Sequence, residues 1–569
     1  MISIYLYSLI SSFYLNCAGN ILLSKDSDKN IYSFAIFGSI FLSFLALFAN
    51  FFIPLSLSFN SIILILILIF GLLVICKNKR FLSTLRSCIF ISVISTIILT
   101  LDTINRPDAS LYHLPYTKIL NDDKIIFGIA NIHIRFGHTS ILQYINALFN
   151  NFLFKENGIL LPASIIFSSI VLFIFKEIRK NFFKYKPYVI YLFFIFAYIL
   201  YKYNRYSEFG NDVIAHLILI ITSIYFLKIN FENVLIKNFF YKILLLSFFC
   251  FMLKPTLILG LILPIFCFYK YLNFNFKQLL NLNIFFVFVF ISSWIIKNLI
   301  VSGCLIYPIQ FTCFESLQWF SNDLRFDISP NLQSLDNEAW TKGWPDYKGD
   351  KISQELYVKN FFWFKTWFMG HGLEILQKLS FFIFFIFIYL FSINKIAINS
   401  KKENFKDIID LKKKIWFLFF LSLIGIFLWF VRFPVFRYGS SYLVIFICIS
   451  ATLISIKYNI EIKNSVLFKK YTNIFLLTIL VLFTAKHSLR VFKNKDLNYL
   501  NYPWPQFISE RQNDNNFKSD PILIDDEIMY YLVKSDDGCG YSLSPCTPYP
   551  VKNVKMSLRN TYKFFTLNK

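Results

Sequence analysis

The sequence has no glycine-rich loop of the Walker or dinucleotide-binding type, so nucleotide chemistry on the cytoplasmic side of a membrane is not expected. It has no heptad pattern and no repeat of domain size, which argues against a coiled coil and a solenoid. The N-terminus lacks the basic stretch of a signal peptide, and residues 1–23 are therefore predicted to be a retained first span. Acidic residues are also scarce, at 33 against 57 lysines and arginines.

Long apolar runs define the class of protein. The mean hydropathy is +0.56, 56% of residues are hydrophobic, and runs near the ~20 residues that span a bilayer recur along the chain. The chain is therefore predicted to be a polytopic membrane protein.

The basic residues cluster in short segments between the apolar runs. A net charge of +24 in a soluble chain would suggest a nucleic-acid partner, but clusters in short loops mark the cytoplasmic side of a membrane protein. We therefore expect no nucleic acid among the partners. The strongest basic segments, predicted to be cytoplasmic, are 77–80, 176–186, 401–414 and 457–470.

The predicted fold class is an all-α polytopic membrane protein with about fourteen transmembrane helices, outer-face amphipathic helices and a small C-terminal α/β cap. Both termini are expected outside, and Lys254-Pro255 is either a kink or an outer turn. We divide the chain into N-terminal helices at 1–83, a transmembrane core at 84–486 with outer loops 102–156 and 302–373, and a small extracytoplasmic domain at 487–569. The predicted spans are 1–23, 31–52, 57–76, 84–101, 157–175, 187–203, 211–228, 240–254, 256–271, 281–301, 374–395, 415–431, 439–456 and 471–486.

The first outer loop is the strongest candidate for a functional site. Ionisable groups beside a bilayer are costly, and so are rare without a function. Pro107 predicts a short helix that begins near Asp108, and an ordinary surface loop with an N-cap aspartate is the alternative. Residues 141–149 have the apolar spacing of an amphipathic helix in the membrane interface. The polar residues of the loop include Asp102, Arg106, Asp108, Tyr112, His113, His133, Arg135 and His138.

Three motifs resemble those of the GT-C superfamily, integral-membrane glycosyltransferases that take a sugar from a polyprenyl-phosphate carrier. They are an acid followed by Tyr-His in Asp108-Ala-Ser-Leu-Tyr112-His113, an Asn298…Gly303…Tyr307-Pro308 stretch that ends a helix, and a Pro434-Val-Phe-Arg437-Tyr438 turn. A further polar run at 207–212 occupies the matching end of another span, and the resemblance covers roughly residues 84–456. In the simplest arrangement of the family the acidic loop follows the first helix, whereas here three additional spans precede residue 84.

The resemblance implies an inverting glycosyl transfer on the outer face, and the residue types suit that chemistry. Such a reaction needs a carboxylate to deprotonate the acceptor or hold a metal, and cations to stabilise the departing phosphate. Asp108 is the candidate base and Asp102 the alternative, and the sequence does not rank them. Arg437 is the candidate phosphate clamp, although an arginine that snorkels to the interface beside Tyr438 is nearly as good an interpretation.

The remaining candidates are assigned to the same pocket. Tyr112, His113, His133, Arg135 and His138 would bind substrate or phosphate. Glu208 and Asp212 would bind the acceptor or a divalent cation, magnesium or manganese, unless they belong to a solvated helix N-terminus. The expected partners are a polyprenyl-phosphate-linked sugar, a glycan, lipid or protein acceptor, and membrane lipid. The expected location is the bacterial inner membrane, with the site facing the periplasm.

Two pairs among the ten cysteines lie in predicted outer segments. Cys304 with Cys313, and Cys539 with Cys546, are predicted to form local disulfides, and a metal site is the less favoured alternative. In the long outer loop, Trp363 and Trp367 are expected to be interfacial anchors, and Trp340 or Trp344 an acceptor contact.

Two other functions stay open. A transporter or flippase has a similar number of helices, but the scarcity of charge within the spans argues against ion-coupled transport. A polysaccharide polymerase or ligase would share the outer-face site, the arginines and the polyprenyl carrier. The early acidic Tyr-His loop favours a glycosyltransferase.

Overall fold

The computed structural model describes residues 2–24, 30–101, 108–182, 186–203, 209–229, 236–273, 275, 282–320, 330–344, 347, 352–394, 405–457, 465–493, 519–524, 527–533, 538–541, 543–551 and 554–567. Within them the chain is mostly helical, as predicted. The helices are α1 (Ile2–Leu22), α2 (Ser33–Asn50), α3 (Leu57–Lys77), α4 (Phe81–Leu101), α5 (Leu114–Asp122), α6 (Ile141–Leu148), α7 (Leu161–Asn181), α8 (Lys186–Lys202), α9 (Asp212–Lys228), α10 (Ile236–Leu253), α11 (Ile262–Leu272), α12 (Leu282–Ser302), α13 (Pro330–Thr341), α14 (Gln354–Lys359), α15 (Trp363–Trp367), α16 (Leu373–Asn394), α17 (Phe405–Arg432), α18 (Phe436–Lys457) and α19 (Ser465–Lys493).

Ten helical segments in the described residues are long and apolar enough to cross a membrane. Every span predicted from the sequence coincides with a helix. The four predicted spans outside the ten fall on α1, α8, α9 and α19, of which α8 and α9 have 17 residues each. The ten segments are Ser33–Asn50, Leu57–Lys77, Phe81–Thr100, Lys155–Asn181, Ile236–Leu253, Pro255–Leu272, Leu282–Ser302, Trp363–Phe391, Asp410–Arg432 and Phe436–Ile456.

Small residues let the first helices pack closely. A Cβ on Gly19 of α1 would lie 1.8 Å from the carbonyl oxygen of Phe34 in α2, so only glycine fits there. Ser95 of α4 shares hydrogen bonds with Ser8 of α1 at 3.2 Å and with Ser164 of α7 at 2.8 Å. Close backbones and hydroxyl pairs are typical contacts between membrane helices, because lipid provides no hydrophobic driving force for their association. The N-terminal helices thus pack directly on α4 and α7. The division at residue 83 stays a prediction.

The C-terminal region folds into two small sheets. The strands are β1 (Ser519–Ile524), β2 (Glu527–Val533), β3 (Cys546–Thr547), β4 (Val554–Arg559) and β5 (Tyr562–Leu567). β1 pairs antiparallel with β2, β2 pairs parallel with β3, and β4 and β5 form an antiparallel hairpin. The part of 519–567 that the structure describes contains strands and no helix, and we call this region the β cap.

Both predicted cysteine pairs are disulfide-bonded. Cys304 joins Cys313 in the loop after α12, and Cys539 joins Cys546 in the cap. The six remaining cysteines are free, and all except Cys76 are buried.

Two expectations about interfacial elements are wrong. Residues 141–148 do form a helix, but every residue of α6 is buried, because the helix packs among α2, α5 and α10 instead of lying in the interface. Trp363 and Trp367 are also buried, because both rings pack against Phe430 of α17. Their aromatic surface is therefore enclosed by protein and does not anchor the chain in lipid.

Candidate functional site

A cavity of about 830 Å³ lies where the predicted outer segments meet at the ends of the helices. It lies between the first outer loop, the ends of α10 and α12, the start of α9, α13, and the turn from α17 to α18. Its polar lining includes Asp108, Tyr112, His113, Arg135, His138, Gln143, Asn211, Asp212, Lys254, Asn298, Arg432, Arg437 and Tyr438. Its apolar lining includes Val213, Leu253, Trp294, Ile306, Tyr307, Ile309, Phe311 and Phe433.

Asp108 enters the cavity from a distorted helical turn. A π-helical turn, Ala109–His113, runs directly into α5, and such turns are frequent at functional sites. Asp108 occupies the N-cap position of this turn but its side chain makes no capping hydrogen bond. The carboxylate instead accepts a hydrogen bond from Arg437 Nη1, 3.2 Å from Oδ2. The side chain is therefore directed into the cavity.

The turn between α17 and α18 brings in Arg437. α17 ends at Arg432 and α18 begins at Phe436, with Pro434 in the non-helical stretch between them. The Trp429 indole N–H donates to the Val435 carbonyl at 2.8 Å and fixes this turn. The guanidinium carbon of Arg437 lies 5.3 Å from the Trp340 ring centroid and 5.2 Å from that of Tyr438. Arg437 Nε is buried and has no hydrogen-bond partner among the described residues.

A second ion pair lies beside the first. Lys254 Nζ donates to Asp212 Oδ1 at 2.5 Å and to the Arg437 carbonyl at 2.7 Å, and it lies 4.3 Å from the Tyr438 ring centroid. His216 Nε2 is 2.8 Å from the same carbonyl oxygen. Lys254 is buried, so the break between α10 and the following 3₁₀ turn Pro255–Leu261 is a structured corner of the site.

Arg135 and His138 come from a 3₁₀ segment, Ile134–His138. The guanidinium of Arg135 lies 5.7 Å from the Tyr112 ring centroid, and His138 contacts the Tyr307 ring edge-on at 5.1 Å. A Cβ on Gly137 would lie 2.5 Å from Tyr307 Cδ1. Glycine at this position therefore lets the first outer loop approach the loop after α12.

A capping box orients His113. The Ser140 N–H donates to Gln143 Oε1 at 2.9 Å, which turns Gln143 Nε2 toward His113 Nδ1, 3.4 Å away. Since the amide nitrogen only donates, Nδ1 of His113 is the acceptor and its proton lies on Nε2.

The two cavity imidazoles are neutral at pH 7. Burial lowers the pKa of His113 to about 4; the Asp108 and Asp212 carboxylates oppose this shift, and the Arg135 and Arg437 charges add to it. Burial also lowers the pKa of His138, to about 3, with a further contribution from Arg135. Burial raises the pKa of the Tyr112 phenol above its usual range. These groups therefore serve as neutral hydrogen-bonding groups, and the cations of the cavity are arginines and a lysine.

The motif at Asn298 shapes the opposite wall. Asn298 Nδ2 donates to the Leu305 carbonyl at 3.0 Å, and Gly303 takes a φ of +79°, which lets the chain reverse after α12. Tyr307 and Pro308 then line the cavity, and the loop presents Phe311, whose side chain is 90% exposed.

Most of the residues predicted from the sequence meet at this cavity. Asp108, Tyr112, His113, Arg135, His138, Asp212, Arg437 and Tyr438 all line it. His133 does not, because its Nδ1 accepts from the Arg135 N–H and its ring packs on Phe136 and Tyr549. Asp102, Arg106 and Glu208 lie outside the described residues.

The described residues contain no group of three or more His, Cys, Asp or Glu side chains close enough to hold a metal. Asp212, the described member of the predicted cation pair, is bonded to Lys254. The Asp212 carboxylate, predicted to bind an acceptor or a metal, is thus paired with the Lys254 ammonium of the same chain.

Lys254, Gln143 and Arg432 line the cavity but were not predicted as site residues. The sequence could have indicated Lys254, because Lys254-Pro255 interrupts an apolar run. Gln143 had a weaker one in the Ser140-x-x-Gln143 capping pattern, which predicts a helix start but not a contact with a histidine.

The fold and the cavity define a multi-pass helical membrane protein with a polar, partly apolar site at the helix ends. The model of a family described as a domain of unknown function, DUF8201, matches residues 1–444, and the chain belongs to that family. The matched residues include every residue that lines the cavity. No curated protein and no solved structure matches the chain.

Proposed function

We propose that the protein is a membrane glycosyltransferase of the GT-C type, which moves a sugar from a polyprenyl-phosphate donor to an acceptor. The observation that carries the proposal is the contact of Asp108 with Arg437 inside a cavity of mixed polarity. Glycosyl transfer from a phosphate requires a base for the acceptor hydroxyl and cations for the departing phosphate, and the lining of the cavity contains both.

The charge of the cavity suits a phosphate leaving group. Four cationic side chains, Arg135, Lys254, Arg432 and Arg437, and two carboxylates, Asp108 and Asp212, give its described lining a formal charge of +2. A sugar–phosphate–lipid diester carries one negative charge, and the phosphate monoester that leaves carries up to two. A fixed positive field therefore stabilises the departing group more than the ground state, which lowers the barrier.

The apolar part of the lining suits a lipid chain. Trp294 belongs to α12, one of the candidate spans, and Ile309 and Phe311 extend the apolar wall to the surface. A ligand with an anionic head and an isoprenoid tail would match both halves. A water-soluble nucleotide sugar would leave the apolar half without a partner.

The proposed reaction is an inverting substitution. The acceptor hydroxyl gives its proton to a carboxylate oxygen of Asp108 as its oxygen forms a bond to the anomeric carbon. The bond from that carbon to the phosphate oxygen breaks, and its electron pair leaves with the phosphate. The guanidinium of Arg437 and the ammonium of Lys254 would bind the phosphate oxygens. Asp102 remains the alternative base, and a divalent cation at Asp212 remains a candidate cofactor.

The membrane arrangement is part of the proposal. We infer that α1, α8, α9 and α19 also cross, which gives fourteen spans and a GT-C-like fold, with the cavity facing the periplasm across a bacterial inner membrane. The short basic segments between helices support this orientation.

A lipid-linked glycan polymerase or ligase is the second candidate. The observation in its favour is that Arg432 and Arg437, both from the late turn, and Ser334 and Asn337 of α13 line the same cavity. Such an enzyme would use a diphosphate-linked glycan, whose greater charge would also suit a positive field.

The test is a donor panel presented to the purified protein in lipid nanodiscs. Labelled sugar is supplied on a polyprenyl monophosphate, on a polyprenyl diphosphate or on a nucleotide, and the product is analysed for anomeric configuration. Transfer from the monophosphate with inversion supports the proposal. Activity with diphosphate-linked glycans alone would favour the polymerase or ligase, and movement of intact lipid-linked glycan without transfer would favour a flippase.

A further inference from the structure

The C-terminal β cap contacts both segments that bring the first outer loop into the cavity. The N–H of Gly540 donates to the Ser110 carbonyl at 2.9 Å, inside the π-helical turn that connects Asp108 with Tyr112. The centroid of the Tyr549 ring lies 5.8 Å from that of His133, and Nδ1 of His133 accepts a hydrogen bond from the Arg135 N–H. The cap itself is not part of the cavity lining among the described residues.

The cap is attached to the first outer loop by three further groups of contacts. The Tyr541 hydroxyl donates to Asn121 Oδ1 at 2.9 Å and accepts from Asn150 Nδ2 at 2.6 Å. Phe127 stacks on Phe564 at 4.1 Å, and its backbone exchanges hydrogen bonds with the 563–565 strand. The Lys563 ammonium lies 2.8 Å from the Asp123 carboxylate. These contacts bury polar groups in pairs, which favours one docked position of the cap.

The turn that reaches Ser110 is defined by its own covalent structure. Cys539 precedes Gly540 and is bonded to Cys546, so the disulfide closes the loop that carries the donating N–H. Gly538 and Gly540 have φ values of +75° and +59°, a region that favours glycine. A Cβ on Gly538 would lie 2.9 Å from the Ser110 carbonyl oxygen, so any larger residue pushes the turn away from the Asp108 segment.

We propose that the β cap is a positioning element of the cavity, in which the disulfide-closed turn at 538–541 fixes the Asp108–His113 turn. Gly540 is the contact and Gly538 provides the space for it, while Tyr541 holds the turn against α5 and the segment after α6. The inference rests on the proposed function only in treating Asp108 as the reacting carboxylate. The cap lies beyond residue 444, outside the family match, so the residues that would position the site extend past the matched ones.

The test compares four full-length variants in nanodiscs. Gly538→Ala displaces the turn, Tyr541→Phe removes one hydroxyl with two partners, and a Cys539→Ser/Cys546→Ser double variant opens the loop. Gly370→Ala is the matched control, because its Cβ would meet nothing within 4 Å. Hydrogen–deuterium exchange is read in a peptide that covers 108–113, and kcat and KM are read separately.

We expect exchange in 108–113 to quicken by about tenfold in the first three variants and to stay unchanged in the control. We expect kcat to fall by about tenfold or more with KM nearly unchanged, because the base is displaced while the phosphate cations remain. Exchange in 108–113 at the parent rate, while the peptide over 538–546 exchanges faster, would overturn the proposal. Faster exchange in a protein that shows no transfer with any donor would support the positioning role and count against the proposed function alone. Tyr541→Phe removes only a hydroxyl, so its exchange and kinetics still test the proposal if the other variants fold poorly.

Discussion

Arg437 donates a hydrogen bond to Asp108 across 3.2 Å, although 329 positions separate the two residues in the chain. Asp108 lies in the first outer loop and Arg437 in the first turn of α18, so the contact joins the early and late halves of the membrane core. The side chains of both remain partly open to the cavity, at 41% for Asp108 and 38% for Arg437. This arrangement leaves both groups accessible to a ligand.

Arg437→Lys tests the phosphate clamp. Lysine keeps the charge but loses the planar fork and the Nε donor that has no partner in the described structure. We expect KM for the polyprenyl-phosphate donor to rise by about tenfold or more, because charge-assisted hydrogen bonds are lost. The control is steady-state kinetics with Arg179→Lys, because Arg179 is an exposed arginine in the last turn of α7 that does not line the cavity. An unchanged donor KM would favour a snorkelling role for Arg437.

The neutral histidines predict a pH dependence of stability. Burial lowers the pKa of His113 to about 4 and that of His138 to about 3, from an ordinary value of 6.5. Between those values and 6.5 the folded protein binds fewer protons than the unfolded chain, so stability falls as pH falls.

We expect the thermal midpoint to drop by at least about 3 °C between pH 7 and pH 5, a window in which ordinary aspartate and glutamate side chains stay mostly ionised. The midpoint is measured by tryptophan fluorescence in detergent, with and without His138→Asn. The variant should show a smaller drop. A midpoint that stays flat over this window in the parent would contradict the neutral assignment.

Lys254 and Asp212 should behave as a coupled pair. Lys254→Met leaves a partly buried carboxylate without its ammonium, and Asp212→Asn in the same chain relieves this. We expect a coupling free energy of about 1–3 kcal/mol from a double-mutant cycle on thermal stability.

The matched control is the exposed Lys118–Asp122 pair on α5, for which we expect a coupling of about 0.5 kcal/mol or less. Additive effects at Lys254 and Asp212, equal to those of the control pair, would show that the pair has no structural role.

The sequence predicted the positions of helices and disulfides better than it predicted what packs against each of them. Hydropathy located a helix for every proposed span, because length and apolar content are local properties. Cysteine spacing predicted both disulfides for the same reason. The burial of α6 and Trp363 was missed, because an apolar face looks the same whether lipid or protein covers it.

At the site, too, the sequence identified several residues but not the long-range contacts that place them. Asp108, Arg135 and Arg437 could be singled out because charge beside a membrane is rare. His133 does not line the cavity, because its ring accepts a hydrogen bond from the Arg135 N–H and packs against Tyr549 of the β cap. The sequence predicted only a kink or an outer turn at Lys254, because the partners of its side chain come from α9 and α18. Long-range partners of this kind carry no local signal.

The central claim is that Asp108 is the base of a glycosyl transfer from a lipid phosphate. The most direct measurement is transfer of labelled sugar from polyprenyl monophosphate by the parent, Asp108→Asn and Asp102→Asn proteins, at matched abundance in the membrane. If Asp108 is the base, the parent transfers sugar, Asp108→Asn loses about 10²–10⁴-fold of that activity, and Asp102→Asn stays near the parent. Transfer that survives in Asp108→Asn, or a loss confined to Asp102→Asn, would contradict the claim.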